Sequence, residues 1–153
     1  MKKLLVLMMT IIAAVAMLAA GCGGGEKKAA EKVLRVGTEP TFAPFEFQKE
    51  GSSEFTGFDM DLIRAIGKQA GYKVEIQNMG FDALIPALNA GNIDVTIAGM
   101  SITEERKGAV AFADPYYTSG LIVMVNKDNY EIKSIEDLKG KRIACQIGTT
   151  GEM

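Results

Sequence analysis

The sequence predicts an α/β fold around a parallel sheet, and three observations indicate it. Apolar, β-branched segments near residues 33–37, 73–77 and 93–98 are typical of strands. Two stretches with helical apolar spacing lie between them, and each ends at a glycine. Strand, helix, strand, helix, strand is the order of parallel strands joined by right-handed crossovers. Ligands gather beyond the carboxyl ends of such strands, so we expect a site in the loops there.

The first crossover spans residues 33–71. Residues 33–37 alternate as a strand does, and Gly71 is expected to end the following helix. Asp59 is predicted to cap that helix, and Asp61 to face its positive end. A metal-binding pair of these two aspartates is the weaker alternative. The predicted apolar face of the helix consists of Leu62, Ile63, Ile66 and Ala70.

The second crossover contains a proline inside its helix. Its strand is predicted over residues 73–77, and its helix is expected to end at Gly91. Pro86 can be accommodated only if the helix begins close by, because proline lacks the N–H that an interior turn needs. The third strand is predicted over residues 93–98. The predicted apolar face of the helix consists of Phe81, Leu84, Ile85 and Leu88.

The segment 121–153 predicts a second, unfinished α/β unit. Residues 121–125 and 142–146 have the apolar character of strands. The turn at 148–151 (GTTG) is expected to form an anion-binding nest or the start of a helix. Between the two strands we expect a short helix with a capping pair and a glycine terminator, Ser134, Asp137 and Gly140.

Residues 1–21 have the pattern of a secretory signal. Two lysines precede an apolar run, which ends in small residues before Cys22. A transmembrane helix is the alternative, since the run approaches the length needed to span a bilayer. The end of the run resembles a bacterial lipobox, with Ala19 where leucine is preferred. That resemblance predicts cleavage before Cys22 and lipid attachment to its thiol, and residues 22–32 predict a flexible tether.

The composition argues against several classes of function. Lys plus Arg (17) nearly balance Asp plus Glu (19), without the basic excess of a nucleic-acid-binding protein. The chain has no histidine, the commonest general base and zinc ligand, and we expect no metal or other cofactor. Lipidation of Cys22 would leave Cys145 as the lone thiol, which in such proteins is more often a buried apolar residue than a nucleophile.

The loop that follows the third predicted strand contains a guanidinium. Arg106 offers a planar fork that matches a carboxylate with two parallel hydrogen bonds. Ser101 and the open backbone at Gly99 add short-range donors and acceptors. A surface salt bridge is the plain structural alternative for Arg106.

The other two loops contain aromatic and acidic residues. Phe42 and Phe81 could clamp a flat or aliphatic group, although both could equally belong to the core. Glu39 could meet a cationic or hydrogen-bonding group, although it could equally be solvated. Together the three loops predict a site that binds through charge and aromatic faces.

Six motifs follow one another along the chain: residues 37–39 (GTE), 44–47 (PFEF), 57–62 (GFDMDL), 84–88 (LIPAL), 98–106 (AGMSITEER) and 112–117 (FADPYY). Together and in this order they resemble the polar-amino-acid branch (family 3) of the bacterial extracellular solute-binding proteins of ABC importers. The resemblance covers residues 33–153. It implies two α/β lobes that close on an amino acid, the periplasmic-binding-protein-like Venus flytrap fold.

The resemblance also implies how the first lobe would bind the ligand. Arg106 would bind the α-carboxylate, and the Gly99 carbonyl would accept from the ammonium group. Phe42 and Phe81 would sandwich the ligand side chain, and Glu39 would lie where its tip is recognised.

The remaining contacts implied by the resemblance come partly from the second lobe. Ser101 and Thr150 would add hydroxyl or backbone hydrogen bonds to the carboxylate and ammonium groups. Gln146 and Thr149 match further contacts from the second lobe. An enzyme would need a general acid or base in the cleft, for which Glu39 is the only clear candidate, and Arg106 suits binding better, so we expect no enzymatic activity.

The family pattern divides the chain at a hinge. Residues 33–115 would form the first lobe, 116–120 the first hinge crossing and 121–153 an incomplete second lobe. Relatives continue well beyond Gly151, so we expect this chain to be a fragment that binds no amino acid tightly alone.

The expected function is that of a monomeric, lipid-anchored amino-acid receptor that faces the periplasm or cell exterior and delivers ligand to ABC permease subunits. Glu39 between aromatic residues favours arginine or lysine over glutamine, and disfavours glutamate. A sensor domain of a receptor is an alternative, and a dehydratase-like enzyme on the same fold is the least favoured one.

Overall fold

A computed structural model of the protein describes residues 31–153. The predicted signal and Cys22 lie outside the described residues, as does the predicted tether up to residue 30. The described strands are β1 (Val33–Thr38), β2 (Thr41–Phe42), β3 (Glu46–Gln48), β4 (Phe55–Thr56), β5 (Lys73–Asn78) and β6 (Val95–Thr96). The α-helices are α1 (Phe58–Ala70), α2 (Leu84–Asn89) and α3 (Glu104–Lys107), and two 3₁₀ turns cover Phe81–Ala83 and Glu136–Leu138.

The predicted parallel sheet is confirmed, with strand order β5-β1-β6. β1 pairs with β5 along its whole length, from Val33 opposite Lys73 to Thr38 opposite Asn78. β6 is shorter than the predicted strand because it pairs with β1 only at Val36 and Gly37. The carboxyl ends of all three strands therefore lie at one edge of the sheet.

Single backbone hydrogen bonds extend the pairing of β6 on both sides. The Asp94 N–H donates to the Arg35 carbonyl at 2.8 Å, and the Ile97 N–H donates to the Gly37 carbonyl at 3.1 Å. The Asp94 carboxylate also accepts hydrogen bonds from the Arg35 guanidinium and backbone. These contacts hold the pKa of Asp94 below its usual range, at about 2.

A second, antiparallel sheet of order β2-β3-β4 was not predicted from the sequence. Its strands are two or three residues long, too short for an alternating pattern to appear. It is formed within the first predicted loop and the residues before α1. This small sheet places Phe42 and Glu46 beside the edge of the parallel sheet.

The prediction that Asp59 caps the first long helix is wrong. The N-cap is Gly57, and the first helical N–H groups are satisfied by loop carbonyls rather than by a side chain. Phe58 donates to the Pro44 carbonyl at 3.0 Å, and Asp59 donates to the Phe45 carbonyl at 2.9 Å. Asp59 instead lies in the first turn of α1, where its side chain is fully buried.

The apolar face of α1 is also rotated from the predicted one. Met60, Ile63 and Gly67 are buried, whereas Ile66 is 48% exposed. Gly67 lies so close to β5 that an added Cβ would stand 2.3 Å from a methyl of Val74. The helix ends at Gly71 as predicted, in the left-handed conformation that glycine favours.

The second crossover follows the prediction. The 3₁₀ turn Phe81–Ala83 leads into α2, and Pro86 is the third residue of that helix. The first four N–H groups of a helix have no intrahelical partner, so proline loses nothing there. Leu84 is fully buried and packs close to Gly37, together with Ile93.

The two strands predicted after residue 120 are not formed. Residues 121–125 and 142–146 have no sheet partner among the described residues, and Ile122 is 91% exposed. An apolar run can form a strand only when a neighbouring strand accepts its hydrogen bonds. The short helix between them is confirmed as a 3₁₀ turn, in which the Asp137 carboxylate accepts from Ser134.

The core lies between α1 and the sheet. It is built on Val36, Met60, Ile63 and Ile97, with partly buried residues from β5 and β6 around them. In the part of the chain that the structure describes, no helix is long and apolar enough to cross a membrane.

We predict that Gly57→Ala destabilises the protein strongly. Gly57 has φ = 120°, and an added Cβ would lie 2.3 Å from the Phe45 carbonyl oxygen. Both the backbone strain and this clash with main chain oppose the carbonyl capping of α1, so we expect a loss of about 3 kcal/mol or more in the free energy of unfolding. Urea unfolding followed by circular dichroism measures the change.

Gly51→Ala is the matched control. Gly51 also has positive φ (76°), but no atom lies within 4 Å of an added Cβ. We expect a loss of only about 1–2 kcal/mol there. Equal losses in the two variants would contradict a specific role for close packing at Gly57.

Candidate functional site

The centre of the site is a buried guanidinium on α3. Arg106 is only 5% exposed. The helix starts where Thr103 caps it, with the Arg106 N–H donating to Thr103 Oγ1 at 3.2 Å. This cap places Arg106 one turn beyond the loop that follows β6, at the carboxyl edge of the sheet. Burial lowers the pKa of Arg106, although the neighbouring Glu105 charge acts in the opposite direction.

The Arg106 guanidinium joins two loops. Nη1 donates to the Ser101 carbonyl and Nη2 to the Gly148 carbonyl, each at 2.7 Å. A guanidinium has five N–H donors, so three are not used by these two bonds. A carboxylate could therefore bind to Arg106 while both carbonyl contacts remain.

Phe81 lies between the positive and the negative groups of the site. The Arg106 guanidinium carbon is 5.4 Å from the centre of the Phe81 ring, a cation–π contact. The Phe81 N–H donates to Glu39 Oε2 at 3.1 Å. The same carboxylate oxygen accepts from the side-chain amide of Gln146. Arg106, Phe81, Glu39 and Gln146 are thus brought together.

Phe42 and Gly99 form a separate contact at the same edge. The Phe42 ring covers Gly99 so closely that an added Cβ would stand 3.2 Å from it. Phe42 itself is half-exposed and stacks on Phe45, with ring centres 5.5 Å apart. Gly99 has φ = 54°, and its N–H donates to Asp59 Oδ2 at 3.0 Å.

The turn at 148–151 binds a carboxylate of its own chain. The Gly148 N–H donates to Glu152 Oε2 at 2.6 Å, a single bond rather than the successive N–H contacts of the predicted anion-binding nest. Thr149 Oγ1 donates to the Gln146 carbonyl at 2.7 Å, and Thr150 is half-buried in the same turn. Ser101 contributes its carbonyl to Arg106, whereas its side chain is exposed.

A shallow cavity of about 290 Å³ adjoins Arg106. It shares Arg106 and Thr149 with the predicted site, and its wall is completed by residues of α2, α3 and the 148–153 segment. Within residues 31–153, no cluster of three acidic or cysteine side chains could hold a metal ion. The proposed metal pair of Asp59 and Asp61 is not formed, because Asp59 is buried and Asp61 is exposed.

Two contributors to this arrangement were not predicted from the sequence. Thr103 caps the helix that carries Arg106, and its position three residues before Arg106 could have indicated this. Asp59 supports Gly99 across 40 positions of the chain, and no local pattern reveals such a contact.

The chain thus has an α/β fold with a buried guanidinium, an aromatic ring and a carboxylate at the carboxyl edge of its parallel sheet. The solved structures that this chain matches have the two-lobe fold. The chain belongs to the bacterial extracellular solute-binding proteins, family 3, whose family model matches residues 34–144. This confirms the family resemblance and the fold class.

Three similar proteins illustrate the relationship. The arginine-binding extracellular protein ArtP of Bacillus subtilis (strain 168) is 40% identical over 152 residues, which cover 99% of this chain and 58% of ArtP. The solved structure of an ancestral arginine-binding protein bound to arginine is 55% identical, with a TM-score of 0.76, over 80% of this chain and 54% of that one. The structure of an ancestral arginine-binding protein bound to glutamine is also 55% identical, with a TM-score of 0.75 and the same coverage. The chain thus spans a little over half the length of these relatives.

Proposed function

We propose that this chain is part of an extracytoplasmic substrate-binding protein that delivers a polar amino acid to an ABC importer. The observation that carries the proposal is the placement of Phe81 between two opposite charges. Arg106 covers its ring, and Glu39 accepts from its backbone N–H. A zwitterionic ligand with a cationic side chain offers a carboxylate to Arg106 and a cation to Glu39.

The electrostatics favour a basic amino acid, arginine or lysine, over glutamine. Glu39 already accepts from an amide donor, Gln146, so a ligand amide could replace that contact. A guanidinium or ammonium group would add charge attraction to the same hydrogen bond. Glutamate is disfavoured because its second carboxylate would face Glu39 without a counter-charge. The arginine-binding name of one relative and a structure bound to arginine support a basic ligand, and the structure bound to glutamine supports glutamine as the second candidate.

The remaining proposed contacts complete the ligand's coordination. Ser101 and Thr150 would hydrogen-bond the α-carboxylate and ammonium groups, and the Gly99 carbonyl would accept from the ammonium. Gln146 and Thr149 would add further contacts from the second lobe. Phe42, half-exposed at the same edge, would cover the ligand side chain from the face opposite Phe81. Residues 33–115 would form the first lobe, 116–120 the hinge crossing, and 121–153 part of the second.

We further propose that the protein binds its ligand without turnover. The matched relatives are named as binding proteins. The ionisable groups that line the proposed site, Arg106 and Glu39, are both already engaged in hydrogen bonds that suit binding. A bound amino acid is therefore expected to be recovered chemically unchanged. A sensor domain would bind its ligand through the same contacts, but its ligand-bound form would contact a protein other than ABC permease subunits.

The proposed anchor is a lipid on Cys22, since the relatives include an extracellular protein and residues 1–22 end in a lipobox-like pattern. We expect the expressed protein to incorporate a palmitate analogue and to fractionate with membranes. Cys22→Ser should abolish labelling, whereas Cys145→Ser should not. Labelling that persists in Cys22→Ser would disprove this anchor.

Arg106→Lys tests the carboxylate contact. Lysine keeps the charge but not the fork that bonds Ser101, Gly148 and a ligand carboxylate together. We expect the affinity of the full-length protein for its amino acid to fall about 100-fold, an effect of the size of a lost bidentate charged hydrogen bond. Isothermal titration calorimetry measures it, and Lys107→Arg, a neighbouring exposed cation, is the control. Unchanged affinity in Arg106→Lys would exclude the assigned role.

Glu39→Gln tests which ligand the site prefers. The substitution removes the negative charge while keeping a hydrogen-bond acceptor of the same shape. We expect binding of arginine to weaken about tenfold or more and binding of glutamine to change little. Calorimetry with arginine, glutamine and glutamate gives the comparison. Tighter binding of glutamate than of arginine or glutamine by the unmodified protein would refute the proposed substrate class.

A further inference from the structure

Two carboxyl groups are buried together beneath the site. Glu46, on β3, is 1% exposed, and Asp59, on α1, is fully buried. Neither is in an ion pair with a lysine or arginine among residues 31–153. Two buried like charges in contact cannot both remain ionised, so at least one of these groups has to hold a proton.

Two orphaned oxygens indicate where that proton belongs. Glu46 Oε2 and Asp59 Oδ1 are buried, and neither has a hydrogen-bond partner in the described structure. One proton between the two carboxyl groups would give each of these oxygens a partner. Burial raises the pKa of Glu46 to about 9, with further contributions from the hydrogen bond and charge of Asp59 and from the charge of Glu39.

The other oxygen of Asp59 connects two functional segments. Asp59 Oδ2 accepts from the Gly99 N–H at 3.0 Å and from the Tyr116 hydroxyl at 2.8 Å. Gly99 begins the loop that leads to Arg106, and Tyr116 begins the proposed hinge crossing. The Tyr116 ring also stacks on Phe58, with centres 6.0 Å apart. A single carboxylate therefore holds the binding loop and the start of the hinge together.

We propose that Glu46 is protonated in the folded protein and donates to Asp59, and that this carboxyl pair positions the Gly99 loop against the Tyr116 segment. Glu46 and Asp59 are thus positioning residues: they touch no ligand, and they act through Gly99 and Tyr116. The charged or titratable groups that face the pair are Tyr116 and Glu39. The effect on ligand binding rests on the proposed function. The protonation of Glu46 and the contacts of Asp59 with Gly99 and Tyr116 do not.

The proposal predicts that stability falls as the pH rises from about 4.5 to about 9. Below the ordinary Glu46 pKa of 4.5 both the folded and the unfolded chain hold the proton. Between that pH and about 9 only the folded chain keeps it, so stability decreases as the pH rises through this window. Two other groups titrate outside this window. Asp94, whose pKa lies near 2, changes the stability only at lower pH, and Tyr116, whose pKa is raised above 10.0, changes it only at higher pH.

The test is a carboxyl ¹³C NMR titration of the full chain, which needs no ligand. We expect the Glu46 carboxyl signal to titrate well above neutral pH. In Asp59→Asn the loss of the neighbouring charge should lower that midpoint by roughly one pH unit or more. Amide hydrogen exchange at Gly99 should become about tenfold faster, because a charge-assisted acceptor is lost. Asp61→Asn, an exposed position on the same helix, should change neither quantity.

Glu46→Gln keeps the test decisive if Asp59→Asn does not fold. Glutamine is a permanently neutral donor, so this variant should fold and lose the decrease in urea stability between pH 5 and 9. A Glu46 signal that titrates in the ordinary acid range of the folded protein would overturn the proposal. So would a Glu46→Gln variant that keeps the full decrease in stability between pH 5 and 9. Either result leaves amino-acid binding, measured separately by calorimetry, unaffected.

Discussion

The backbone capping of α1 is the contact on which the rest of the structure depends. Carbonyls of Pro44 and Phe45 accept the first helical N–H groups, and only a glycine at position 57 lets the chain approach so closely. Because the cap is made by main chain, the Asp59 side chain is free to turn inward. There it holds Gly99 and Tyr116, so the small antiparallel sheet, the helix and the edge of the parallel sheet become one unit.

A second constraint is the burial of a permanent positive charge. Arg106 has to satisfy its guanidinium away from water, and it does so with the carbonyls of Ser101 and Gly148 and the face of Phe81. These contacts draw the 148–151 turn onto the edge of the parallel sheet. The two carbonyls that make the burial of Arg106 tolerable use only two of its N–H donors, so the others can bind an anion. Stability and binding therefore share the same guanidinium.

The sheet and the ends of the main helices could be predicted because they depend on short-range patterns. Apolar alternation located β1 and β5, and Gly71 ended α1 by its left-handed conformation. Prediction failed for the elements whose formation depends on residues far away in the sequence. Residues 121–125 have the composition of a strand, but no strand of residues 31–153 lies beside them. The carbonyls that cap α1 come from a loop more than ten residues earlier.

The sequence by itself determined the fold class, the family and the residue types of the site, because motif order and apolar period are local properties of the chain. Only the tertiary structure decided how those residues are paired. It placed Glu39 on the Phe81 backbone, Arg106 on the Phe81 ring and Asp59 beneath Gly99, contacts that span 42, 25 and 40 positions. Such pairings follow from the packing of whole elements, which determines which polar groups are buried together and must satisfy one another.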